Sequence, residues 1–227
     1  VTGIGEATLP GFEDTLIALT GWASDRLSGQ PAWPNVTEQL LRDIRAGRAQ
    51  WAVASAIEQA LWDSQGKRLG VPVSTLLGGA LRDSIPLYAN INRGVSARTP
   101  EAFAARAKEA AAAGYSLVKI APFDKPNAAA NSLTDAEYDN AIAIIDAIKD
   151  SCGDTVRLMV DCHWRLDVTR AVRFIEIAST RNLYWVECPM PEQPEYIPAL
   201  KRLRSVALSN AIRMAGVETG TGLSDFM

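Results

Sequence analysis

The sequence has no run of about 18 consecutive apolar residues, so no transmembrane helix is expected. Its opening residues carry no basic stretch followed by an apolar one, and no signal peptide is expected. A basic excess is missing too. Lys and Arg number 23 against 26 Asp and Glu, a formal net charge of −3, where a nucleic-acid binder normally carries a positive surplus. Cysteine is scarce. Cys152, Cys162 and Cys188 are odd in number and far apart, which fits reduced thiols of a cytoplasmic protein and not a disulfide framework. There is one histidine, His163. That argues against a zinc hydrolase, whose site usually wants more than one imidazole. With 48% hydrophobic and 22% charged residues in 227, the chain is globular in composition, not disordered, collagenous or coiled-coil. Its length holds one large domain or two small ones.

The chain opens at Val1 without a methionine and stops at Met227, a few residues past a strand-like segment. It is expected to be a piece of a longer protein. Residues 1–80 are helix-rich. Glu13 to Leu27 has a loosely helical period, Leu40, Leu41 and Ile44 follow at helical spacing, and Trp51 to Trp62 is apolar or small enough to predict a buried helix. Gly66, Gly70 and Pro72 end that helix.

From Ser84 on, strands and helices alternate. Strands are expected at Ile85–Asn92, Ser116–Ala121, Arg157–Trp164, Leu183–Cys188 and Ile212–Glu218. Four helices lie between them. Thr99-Pro100-Glu101 opens the first, the Thr134/Glu137 capping pair the second, Asp167 the third, and the fourth spans Pro194–Ser205. Repeated β-α units imply parallel strands, in a doubly wound sheet or a (β/α)8 barrel. A doubly wound nucleotide binder would place Gly-x-Gly-x-x-Gly after its first strand. Here the chain reads Arg93-Gly94-Val95-Ser96-Ala97-Arg98. The fold class is therefore α/β, a partial barrel of about five units over 81–227, since a whole barrel takes about 250 residues.

Barrel chemistry sits at the carboxyl ends of the strands. Three successive strands each finish with one acid, Asp161, Glu187 and Glu218, about one β-α unit apart. Adjacent strands are about 5 Å apart, so acids at equal heights converge and would repel unless a cation stood between them. A hard divalent ion, Mg2+ above all, suits such oxygen donors. His163 lies two residues past Asp161 and is expected on the same strand face, while Cys162 faces the helices. Lys119 is expected to point inward, level with the acids, where it needs a charge partner. A Schiff-base aldolase built on Lys119 would leave the three acids unexplained.

Ala60-Leu61-Trp62-Asp63-Ser64-Gln65-Gly66-Lys67, then Gly70-Val71-Pro72-Val73 and Leu76-Leu77-Gly78-Gly79, resembles the linker of the enolase superfamily, in its mandelate racemase and muconate lactonizing enzyme branch. Gly3-Ile4-Gly5-Glu6-Ala7 resembles the end of the first sheet of that family's capping domain, so 1–80 is expected to be a partial cap. Asp161, Glu187 and Glu218 match its three metal ligands. The resemblance implies a Mg2+-dependent removal of the proton α to a carboxylate through an enediolate, with a small carboxylate as partner and neither nucleic acid nor membrane. It also implies a homo-oligomer in the full-length form.

Two departures narrow the implied reaction. Many members carry Lys-x-Lys at the second strand, the second Lys being the base; here the triplet is Lys119-Ile120-Ala121. Many have Asp-x-Asn at the third strand; Asp161-Cys162-His163 is similar instead to acid-sugar dehydratases of the galactonate and mannonate type. In those the His is the general acid, and the base is a His–Asp pair on later strands. The resemblance thus implies an acid-sugar dehydratase with His163 and Lys119 as catalytic residues, inactive as this chain alone. The alternatives are a racemase or cycloisomerase of the same branch with Lys119 as base, or a non-catalytic relative. Asn90, Asn92 and Arg93 are candidates for sugar contacts.

Overall fold

A computed structural model describes residues 1–42, 47–124, 133–218 and 220. The chain divides into two compact units, Val1–Ile85 and Pro86–Met227. In the first, α1 (Glu13–Leu27), α2 (Val36–Arg42) and α3 (Arg48–Leu69) pack around Leu16, Ala23, Leu40, Ala49 and Val53, and a short α4 (Val73–Leu76) follows. The opening segment lies on α3 for a reason readable in its glycines. A Cβ on Gly3 would strike the Ala60 carbonyl, and one on Gly5 the Ala56 carbonyl, one helical turn away. Asp63 Oδ2 accepts from the Ile4 amide at 2.8 Å, and Lys67 Nζ donates to the Thr2 carbonyl at 3.0 Å. The 60–67 motif is thus a docking strip for backbone, pinned by side chains four residues apart. Gly70 ends α3 in the left-handed conformation (φ 69°). Of the Trp51–Trp62 stretch only Val53 and Ala54 are buried, so the expectation of a buried helix is corrected. A helix of small residues laid against one layer keeps its other faces in solvent.

In the second unit five parallel strands lie in the order β1 (Ala89–Asn90), β2 (Leu117–Ile120), β3 (Arg157–Asp161), β4 (Trp185–Glu187) and β5 (Arg213–Ala215). Helices α5 (Pro100–Ala112), α6 (Asp135–Cys152), α7 (Val168–Thr180) and α8 (Ile197–Ser209) connect them from β1 onward. Spatial order equals chain order, with no switch point. That is the winding of a barrel rather than a doubly wound sheet.

The helix starts carry their caps. The Ala102 amide donates to Thr99 Oγ1, Thr134 and Glu137 cap each other, and the Arg170 amide donates to Asp167 Oδ1 at 2.8 Å. Val118, Ile120, Leu158, Val160, Cys162 and Val186 are buried against Phe103, Ile144, Ile145, Phe174 and Ile175. Each large apolar side chain so buried contributes about 1.5–3 kcal/mol. Strand alternation then leaves Lys119, Asp161 and Glu187 on the opposite face.

The strands are shorter than the sequence suggests. Ile85 and Leu87 are exposed, and pairing starts only at Ala89, three residues past Pro86, which has no N–H to give a ladder. β3 ends at Asp161 and not at Trp164, because His163 (φ 44°) and Trp164 (φ 58°) are left-handed. β5 ends at Ala215 and not at Glu218, with Val217 left-handed (φ 65°). All three cysteines are free thiols. No helix among the described residues is long and apolar enough to cross a membrane.

Candidate active site

The parallel ladder sets Asp161 directly opposite Glu187. Both side chains therefore leave the sheet at one height and on one face. Lys119, on the far side of β3 from β4, spans the pair: its Nζ donates to Glu187 Oε1 at 2.8 Å and to Asp161 Oδ2 at 3.1 Å. Asp161 and Lys119 are 3% and 8% exposed. A buried ammonium holding two carboxylates is stable only as a set, because any one charge left alone would carry a desolvation cost of several kcal/mol. Burial works to lower the Lys119 pKa, but the hydrogen bonds from Glu187 and Asp161 outweigh it and hold the group above its usual range.

Every carboxylate oxygen of the pair has a donor. Asp161 Oδ1 accepts from the His163 amide at 3.0 Å, and Glu187 Oε2 from Trp185 Nε1 at 3.1 Å. His163 Nε2 lies 3.1 Å from Asp161 Oδ2. Strand alternation is not what brings the ring there, since the strand has ended; the left-handed turn at 163–164 folds it back. Its Nδ1 lies 2.7 Å from Asp124 Oδ1. Hydrogen bonds to Asp124 first and Asp161 second, working against burial, push the His163 pKa up to about 10. Burial would raise the two aspartates, and their bonds to His163 lower them. Asp124 had no signal in the sequence beyond being an acid after β2.

Cys162 and Cys188, beside these acids, are not nucleophiles. Burial holds the Cys162 thiol well above its usual range and pushes Cys188 up to about 12. Ala121, where many family members carry the base, is buried and bonds through its amide to Asn92 Oδ1 at 3.2 Å. Asn92 spends its other amide atoms inside the protein as well, so it is not free to meet a sugar. Asn90 is exposed, and its Oδ1 accepts from the Asn92 amide.

Glu218 stands apart. The residue level with Glu187 on β5 is Ala215, and Glu218 lies exposed in the turn beyond. The expected convergence of three acids at equal height is corrected to a convergence of two. Among the described residues no three His, Cys, Asp or Glu side chains are grouped so as to hold a metal ion. The donor chemistry of the two still fits a hard cation: two carboxylates in register, each already giving one oxygen to a single positive charge, the Lys119 ammonium.

Another acid, Glu192, fastens the same rim. Glu192 Oε1 accepts from the Val217 amide at 2.8 Å and its Oε2 from Trp164 Nε1 at 3.1 Å. It ties together the turns that follow β3, β4 and β5, where His163, Trp164, Cys188 and Val217 all hold positive φ.

Comparison with known proteins places this arrangement. The family model described as Enolase C-terminal domain-like matches residues 102–227. The mandelate racemase / muconate lactonizing enzyme N-terminal domain matches residues 1–78. D-galactonate dehydratase of Pectobacterium atrosepticum is 32% identical over 94% of this chain and 56% of its own length. D-gluconate dehydratase of Thermoproteus tenax is 36% identical over 67% of this chain and 29% of its own. The solved structure of a mandelate racemase/muconate lactonizing enzyme-like protein from Rubrobacter xylanophilus superposes with a TM-score of 0.72, 29% identical, over 90% of this chain and 57% of that one. The chain spans about half the length, or less, of the curated relatives it matches. With a parallel, unswitched β/α sheet, an in-register acid pair and both family models matched, the chain belongs to the enolase superfamily, in its mandelate racemase and muconate lactonizing enzyme branch.

Proposed function

We propose that this chain carries the metal-binding and proton-donating part of an acid-sugar dehydratase, a lyase acting on a small sugar carboxylate. The observation that carries the reading is the His163 ring, held between Asp124 and Asp161 at the rim of the Lys119 cluster. The names of the two curated relatives, D-galactonate and D-gluconate dehydratase, support the same class.

In this reading Asp161 and Glu187 would hold Mg2+, with Glu218 from the turn beyond β5 as the third ligand that the family resemblance implies, and the ion's charge would offset the negative charge that develops on the substrate carboxylate as the α proton leaves. Lys119 acts beside it as a fixed cation. Its Nζ bonds both acids, the place of a fixed cation and not of a free base, and this supports that role over the racemase reading with Lys119 as base. Ala121 cannot take one either, and the base is assigned to a group outside these 227 residues. The pair of electrons released at the α carbon forms the double bond, and the β carbon–oxygen bond breaks. His163 Nε2 gives its proton to the departing hydroxyl, which leaves as water, and the enol product becomes the 2-keto acid. General acid help of this kind is worth about 10²–10⁴-fold.

The test is made in the complete barrel to which this reading assigns the chain. His163→Asn is expected to abolish 2-keto acid formation from D-galactonate or D-gluconate while solvent-deuterium exchange at the α carbon continues. Dehydration at a rate near wild type in that variant overturns the assignment of His163.

A further inference from the structure

The geometry points to Asp124 as the positioning residue of His163, set in place by Asn92 and Arg98; the inference rests on the reading of His163 as the proton donor. Three turns in succession contribute. Asn92 follows β1, Asp124 follows β2 and His163 follows β3. None of the three lies on a strand, so sheet register does not place them. A chain of side-chain hydrogen bonds does.

The chain has a defined polarity. Asn92 Oδ1 accepts from Arg98 Nη1 at 2.9 Å and from the Ala121 amide at 3.2 Å. With its oxygen taken by two donors, Asn92 can only turn its NH2 the other way, and Nδ2 donates to Asp124 Oδ2 at 3.1 Å. A flipped amide would face NH2 against two donors and oxygen against a carboxylate. Arg98 is itself fixed, donating through Nη2 to the Ala121 carbonyl and lying over the Phe103 ring at 4.7 Å. One oxygen of Asp124 is thereby held, and the other, Oδ1, faces His163 Nδ1 at 2.7 Å.

An ionised carboxylate only accepts, so Nδ1 must be the donor in this contact. The ring is left with one orientation. Nδ1–H is committed to Asp124, and Nε2 is the nitrogen turned toward Asp161. Without Asp124 the ring could rotate half a turn and exchange its two nitrogens. His163 also sits at φ 44°, a left-handed conformation uncommon outside glycine. Asp124 thus decides which nitrogen is offered to a substrate. It touches no reacting atom itself.

In the 15N-labelled complete barrel, the imidazole signals of His163 are identified as those that His163→Gln removes. A proton bound to Nδ1 and protected from exchange with water is expected in the unaltered chain; its absence overturns the inference. In Asp124→Ala, exchange of that proton should quicken by at least about tenfold, as a closed hydrogen bond becomes an open one. Asp124→Asn keeps an acceptor and should restore most of the protection. Asn92→Ala, which loosens the support and leaves the acid, should give an intermediate rate. Backbone amides of α7 serve as the control for folding. Unchanged Nδ1–H protection in Asp124→Ala, with those amides intact, overturns the inference, as does protection in Asp124→Asn no better than in Asp124→Ala. None of these readings passes through turnover, so the dehydratase assignment and the role of Asp124 can fail separately.

Discussion

Lys119 Nζ lies 2.8 Å from Glu187 Oε1, although the two residues stand on β2 and β4 with β3 between them. The ammonium reaches across the intervening strand because that strand ends in Asp161, which it also holds. The contact makes Lys119 the one cation that the two acids share, since His163 reaches Asp161 only.

Removing that side chain should be costly. Lys119→Met keeps most of the volume, leaves Glu187 with no cation and leaves Asp161 to His163 alone. Breaking a buried charged set in this way costs about 3–5 kcal/mol. Urea unfolding in metal-free buffer is expected to show a loss of this size, and Lys119→Arg a smaller one. A Lys119→Met variant as stable as the parent would mean that the two acids are not both ionised in the folded chain.

Metal binding separates the two acids in register from the one beyond. In the complete barrel, Glu187→Gln should remove most Mg2+ binding measured by calorimetry, because it takes a charged oxygen from the centre of the proposed site. Glu218→Gln should do likewise if the exposed Glu218 serves as the third ligand. Unchanged affinity in the first variant removes the site, and unchanged affinity in the second alone leaves a site of two acids.

How much of this was legible in the sequence follows from what set each residue in place. Lys119, Asp161 and Glu187 lie on strands, where a period of two and the length of a β-α unit fix face and height. His163 and Glu218 lie just past strand ends, where left-handed residues break the period. The sequence therefore placed His163 beside Asp161 for the wrong reason, and lifted Glu218 to a height that Ala215 occupies. Asp124 and Glu192 were not legible at all. Each is placed by hydrogen bonds between turns distant in the chain, and no local pattern encodes such bonds. The capping residues of α5, α6 and α7 were legible, since a cap acts within four residues of itself.

Stability should fall on the alkaline side through His163. Its pKa is about 10 in the folded chain against an ordinary value of 6.5. The folded state therefore holds the proton more tightly. The stabilisation is fully present below about pH 6.5 and is lost as pH rises through about 10. Asp124 and Asp161 work in the opposite sense. Their pKa values lie below the ordinary 3.8, so their contribution is present above that value and is lost on acidification. The melting temperature in metal-free buffer is expected to decline between about pH 7 and about pH 10, and more steeply in the parent than in His163→Gln. Parallel curves for the two proteins would show that the imidazolium is not held as the geometry indicates.

Gly216 and Glu192 should behave as one unit. A Cβ on Gly216 would collide with Glu192 Oε1, the oxygen that accepts from the Val217 amide. The carboxylate sits at the end of a flexible side chain and would give way, losing its bonds to Val217 and to Trp164 Nε1. Hydrogen bonds to a charged acceptor contribute about 1.5–3 kcal/mol each when buried. These are half-buried, so the loss in Gly216→Ala is set at about 1–3 kcal/mol for both together. Glu192→Ala removes the same two bonds and should cost about as much. If the collision is the whole effect of the alanine, the double variant should cost no more than either single one, because the second change has nothing left to break. Thermal or urea unfolding of the four proteins measures the coupling directly. Additive losses would show that Gly216 is needed for its own backbone conformation and that Glu192 does not hold the turn after β5.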